Sequence, residues 1–263
     1  MDQPPPTLES QPDAPKTPAM SLPARLMNVI AAPGEVFEAV KTSPPSTANW
    51  LVPALIFMLV SWMGAMLIFS QDTIKQQLSD ITNKAIDKQV EKGKIPKERA
   101  EATRQAAEKF GSLGAEISAV AMPVFVAFIS PFWGGLIVWL VGAKALKGGF
   151  SYMKGVEAAG LANMIYVLEA IVKPLLIVAM GNLYASPSLA LAVKDFDPQN
   201  PVYGLLAAVN VMTFWLLVVR AIGIARLSGA SVGRAAAWMF GIWAALTALM
   251  VGFAFALRTI TGG

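Results

Sequence analysis

Apolar residues run almost unbroken over five stretches of the chain: Asn49 to Phe69, Ile117 to Val141, Ala158 to Met180, Val202 to Ala225 and Ala235 to Leu257. Each is long enough to cross the ~30 Å hydrocarbon core of a bilayer as a helix rising ~1.5 Å per residue. The pattern predicts an all-α fold, a polytopic membrane protein built as a bundle of five transmembrane helices. Between spans one and two lies the one large polar insertion, from Gln71 to Ser112, with nine basic and seven acidic residues. Ile74, Leu78, Ile81 and Ala85 form one stripe, the Gly93 to Pro96 turn interrupts it, and Thr103, Ala106, Phe110, Leu113 and Ile117 resume it. That periodicity predicts a polar helical hairpin over residues 71–115, its second arm running into span two.

Ahead of span one, Leu22, Leu26, Val29 and Ile30 recur at helical spacing after Ser21, and Val36, Phe37 and Val40 follow the break at Pro33 and Gly34. Two short helices are expected there, lying in the interface or packed on the end of the bundle. Residues 1–20 contain six prolines and almost no large apolar side chain, the composition of a disordered tail. Their single basic residue, Lys16, and the distance to the first apolar run are unlike a secretory signal. The membrane domain is placed at residues 21–258 and a short tail at 259–263.

Composition agrees with a chain whose main solvent is lipid: 55% of residues are hydrophobic, 14% are charged, and the mean hydropathy is +0.55. The chain has no cysteine and no histidine, which removes thiol and imidazole chemistry, disulfides and thiolate metal sites. No phosphate loop, dinucleotide fingerprint or paired catalytic carboxylates occur, and Asp195 and Asp197 before Pro198 read as turn residues. No enzymatic activity, cofactor, metal or nucleic acid is expected. The net charge of +4 is directed at membrane lipids, with Lys144, Lys147 and Lys154 as headgroup contacts beside the spans. A cytoplasmic N-terminus places these lysines inside with Lys16, Arg25, Lys41, Arg226 and Arg234, leaving Lys194 and Arg258 outside; the polar insertion, placed outside, offsets much of that bias.

Four polar residues inside the spans form the candidate intramembrane site: Glu169, Lys173, Asn163 and Asn210. Two charges near the middle of span three cost roughly 5 to 7 kcal/mol, against about 3 to 6 returned by its leucine, isoleucine and valine side chains. They must therefore face the bundle or a wet cavity. An i, i+4 ion pair between Glu169 and Lys173 would serve as a packing tie, or as a proton or ion relay at a Pro174 kink, which would make the protein a transporter or channel component. In span five, Gly241, Ala244, Ala248, Gly252 and Ala256 present a helix-packing face, for contact within the chain, with a second copy in a homo-oligomer, or with other membrane proteins.

The entry Arg25-Leu26-Met27-Asn28-Val29-Ile30-Ala31-Ala32-Pro33-Gly34-Glu35-Val36-Phe37, the longest loop after span one, Gly148-Gly149-Phe150-Ser151 before span three, and Leu216 to Arg234 with Gly223 and Ser228-Gly229-Ala230-Ser231 resemble the prokaryotic branch of the Yip family. The resemblance, to a family named for Ypt/Rab-interacting membrane proteins, covers Ser21 to Leu257. It implies a five-helix bundle with a cytoplasmic N-terminus and a non-enzymatic role in membrane organisation or trafficking, as a scaffold or partner-binding protein, in a prokaryotic inner or plasma membrane. Eukaryotic members work with small GTPases of the Rab type. The N-terminal region here lacks their Asp-Leu-Tyr-Gly-Pro stretch, so a small GTPase is not an expected partner. If the five runs are spans, the protein stays with membranes through alkaline carbonate washing, and glycosylation tags placed in successive loops alternate in accessibility; two adjacent loops reporting the same side would break the layout.

Overall fold

The computed structural model describes residues 20–193 and 200–261. The proline-rich tail and Lys194, Asp195, Asp197 and Pro198 lie outside the described residues. Two short helices open the chain, α1 (Leu22–Ala31) and α2 (Pro33–Thr42). Ser21 caps α1, its hydroxyl accepting from the Ala24 N–H, and each helix carries a proline in its first turn, Pro23 in α1 and Pro33 in α2, where a missing N–H is harmless. Val29, Val36, Phe37 and Val40 are fully buried, so the pair packs on the end of the bundle rather than lying free in the interface.

Among the described residues, five helices are long and apolar enough to cross a membrane. They contain α3 (Ala48–Phe69), α5 (Lys97–Trp139), α6 (Tyr152–Ala162) with α7 (Met164–Met180), α9 (Val211–Ser228) and α10 (Val232–Thr261). The polar insertion comprises α4 (Asp72–Glu91) and the first turns of α5, with Arg104 bonded to Asp87 at 2.5 Å. The Gln77 side chain of α4 donates to the Gly181 carbonyl and accepts from the Leu183 N–H, which fastens α4 to the end of span three.

Two boundaries differ from the sequence reading. The apolar run from Val202 is not one helix: α8 (Pro201–Ala208) stops, Val209 and an extended Asn210 follow, and span four begins at Val211. The extended piece pairs with Pro187 to Leu189 through an isolated antiparallel bridge, which satisfies its backbone without a helix. Asn210 then caps α9, its side-chain oxygen accepting from the Met212 N–H at 2.8 Å. Span three is interrupted at Asn163, whereas the helix continues through Pro174.

Span three is central. Its first half packs antiparallel on α5, Gly155 opposite Gly135 and Asn163 opposite Ser130, and its length runs alongside α3 from Trp50 at Gly160 to Gly64 at Pro174. Two of these contacts share a design. Pro53 and Pro174 each remove the N–H that would bond the carbonyl four residues back, at Asn49 and Ala170. A glycine of the neighbouring helix sits on each: a Cβ at Gly160 would lie 3.0 Å from the Asn49 oxygen and 2.3 Å from Trp50 Cβ, and one at Gly64 would lie 3.3 Å from the Ala170 oxygen. Such approach lets Cα–H groups contact the released carbonyls. The Gly160→Leu substitution therefore forces the backbones of α3 and α6 apart; it should lower stability by about 1–3 kcal/mol or more, read as earlier thermal unfolding of the detergent-purified protein, whereas Gly111→Leu, in open space, should not.

Candidate functional site: a polar ladder along span three

Polar side chains of α6 and α7 reach across the bundle at three levels. At the first, Glu157 is 1% exposed and accepts from the Asn49 amide of α3 at 2.6 Å. Its other oxygen lies 3.1 Å from the Lys154 ammonium, close enough for an ion pair although not aligned as a hydrogen bond. Lys154 in turn donates to the carbonyls of Val40 and Ser43 at 2.8 and 2.7 Å, at the C-terminal end of α2, where helix carbonyls lack intrahelical partners. Arg25 of α1 donates to Asn49 at 3.3 Å. One buried carboxylate thus gathers α1, α2, α3 and α6.

Helix phase explains the arrangement. Ser151 caps α6 at its N-terminus, so Lys154 and Glu157 fall one turn apart on the same face, surrounded by Gly155, Ala158, Ala159 and Gly160, whose small side chains bring the neighbouring helices close. The ion pair survives there because every charge also has neutral donors or acceptors around it.

At the second level, Arg220 of α9, 8% exposed, donates to Asn163 at 3.0 Å, and the Asn163 amide donates to Ser130 at 2.9 Å. The guanidinium lies 6.0 Å from the Tyr166 ring centroid, and a Cβ at Gly134 would come within 2.7 Å of it. At the third, Asn210 donates to Glu169 at 2.8 Å while capping α9. An apolar cavity of about 590 Å³ between α3, α5 and α7 is bordered by Glu169, Lys173, Ser61 and Tyr166.

Of the four intramembrane polar residues singled out in the sequence, Asn163, Glu169 and Asn210 belong to the ladder. Asn163 and Asn210 are buried and join neighbouring spans. Glu169 and Lys173 border one cavity yet form no ion pair with each other: Glu169 is held by Asn210, and Lys173 is exposed at the bundle surface. Lys154, expected to meet headgroups, is buried in the first level; Lys144 and Lys147 lie at the bundle surface, Lys144 over the Trp139 ring at 4.8 Å. Gly241, Ala244, Ala248, Gly252 and Ala256 form an open row, and nothing lies within 4 Å of a Cβ built at Gly241 or Gly252. The face makes no close contact inside the chain at those glycines. Sequence reasoning missed Glu157, Asn49 and Arg220 as a set. The usable signal was the Lys154 and Glu157 spacing among small residues, together with an arginine inside an apolar run.

A family model described as the Yip1 domain matches residues 27–254. No curated protein and no solved structure matches the chain. Among the described residues, no group of three or more aspartates and glutamates is placed to hold a metal ion.

Breaking the first level should be costly. Glu157→Leu leaves the Lys154 ammonium buried without its counter-charge and should lower stability by roughly 3–5 kcal/mol. Adding Lys154→Met should recover much of that loss. A double-mutant cycle by thermal unfolding in detergent checks it, and additive losses would show that the two groups act independently.

Proposed function

The chain belongs to the Yip1 domain family, and from that premise we propose that it is a non-enzymatic membrane scaffold whose last span carries a contact surface for a second copy or another membrane protein. The observation that carries this reading is the contrast between spans. Polar groups at the ends and centre of the bundle are spent on one another across helices, whereas none of the apolar window of span five is buried. Its row from Gly241 to Ala256 is open, and small side chains allow a partner helix to approach closely where apolar burial alone gives no drive in lipid.

The proposed setting is a prokaryotic inner or plasma membrane with the N-terminus cytoplasmic. Lys41, Lys144, Lys147, Arg226 and Arg234 gather at the end of the bundle that holds α1 and α2, which supports that orientation. Lys144 and Lys147 are proposed as lipid headgroup contacts.

Because the chain contains no cysteine, single-cysteine variants test the surface directly. Ala248→Cys in native membranes should cross-link to a second copy or to a reproducible protein partner, and Gly241→Leu with Gly252→Leu should cut the yield about tenfold, in line with loss of close packing. Absence of any protein adduct from Ala244→Cys, Ala248→Cys and Ala256→Cys alike would leave this face to lipid and remove the scaffold reading.

A further inference from the structure

Glu169 and Lys173 lie one turn apart on α7 and border the same cavity, yet they do not neutralise each other. Glu169 uses Oε1 to accept from Asn210, and its Oε2 has no partner among the described residues. Among those residues Lys173 has neither an ion pair nor a hydrogen bond. An uncompensated carboxylate and an uncompensated ammonium on one wall discriminate by sign: a simple anion meets Glu169, a simple cation meets Lys173, and only a ligand carrying both charges satisfies the pair.

The remaining walls are apolar. Phe57, Ile68, Phe69, Met122, Val126 and Ile177 line them, and the cavity extends to Phe69, the last residue of α3, and to Leu183 just beyond α7. Lys173 precedes Met180 by seven residues, ~10 Å of helix, within reach of the interface for a long side chain. Ala119, whose carbonyl Pro123 releases, also borders the space.

We propose that this cavity is a binding site for a zwitterionic phospholipid with a primary amine, a phosphatidylethanolamine type of lipid, its ammonium on Glu169, its phosphate on Lys173 and acyl chain against the apolar walls. The two-carbon link between phosphate and amine suits side chains one helical turn apart, with Cβ atoms ~5–6 Å from one another. A quaternary amine has no N–H to donate, and an anionic lipid has no ammonium for Glu169, so both bind less well. The site is independent of the scaffold reading: it faces α3 and α5, away from the small-residue row of α10.

Native mass spectrometry of the full chain, released from nanodiscs holding equal parts of phosphatidylethanolamine, phosphatidylcholine and phosphatidylglycerol, tests it. The natural protein should retain phosphatidylethanolamine over each competitor by about tenfold. Glu169→Gln, which keeps an oxygen acceptor for Asn210, should bring the preference over phosphatidylglycerol close to parity, and Lys173→Met should weaken retention of all three. Ala65→Phe, which fills the cavity, should remove the retained lipid while the thermal midpoint reports whether the fold persists. Equal retention of the three lipids by the natural protein, or a preference unchanged in both charge variants, overturns the site. Displacement of lipid by soluble O-phosphoethanolamine as effectively as by a short-chain phosphatidylethanolamine also overturns it, since the ligand would then be a free zwitterion; this arm needs no variant.

Discussion

A carboxylate among apolar helices persists only where a counter-charge and donors converge on it, and the arrangement of this bundle follows from meeting that condition at Glu157. Lys154 supplies the counter-charge one turn away, Asn49 supplies an amide from span one, and Arg25 reaches Asn49 from α1. Lys154 also occupies the terminal carbonyls of α2, so the same few atoms decide where the two N-terminal helices sit. In water such a pair would be worth little, since solvent competes for every partner. In a dry interior it fixes position, because leaving any member unpaired is expensive.

The rest of the ladder applies the same rule with less charge. Asn163 receives the Arg220 guanidinium and passes a hydrogen bond to Ser130, so one amide at an interruption of span three joins three spans. Asn210 serves as cap and cross-helix donor at once. Between these levels the helices meet through glycine and proline. A proline releases a carbonyl, and a glycine opposite lets the next backbone rest on it, as at Asn49 with Gly160 and Ala170 with Gly64. Such contacts need no net hydrophobic drive, which lipid does not supply between helices.

The number and type of spans, the two entry helices and the family resemblance were legible in the sequence, because an uninterrupted apolar run as long as a bilayer is thick suits a membrane-crossing helix and little else. The break ahead of span four was not. Asn210 sits in an apolar run, and its value as a cap depends on a bridge to Ser188 that lies twenty-two residues upstream, beyond any periodicity argument. Glu169 and Lys173 stood out as a pair by spacing, but the side chain of another span takes the glutamate. Lys154 read as a loop cation because the charge statistics count residues near span ends, whereas α6 begins early enough to draw it inside with Glu157. Helix phase and cross-chain partners are three-dimensional facts, and composition alone does not encode them.

The partners of span three come from both directions along the chain. Asn49 and Ser130 have already been synthesised when Glu157 and Asn163 reach the bilayer, while Arg220 and Asn210 have not. The Asn49–Glu157 and Ser130–Asn163 contacts can thus form before span four is made, whereas Glu169 gains the Asn210 amide only once span four follows. The complete ladder therefore requires spans three and four side by side, neither satisfying its polar groups alone.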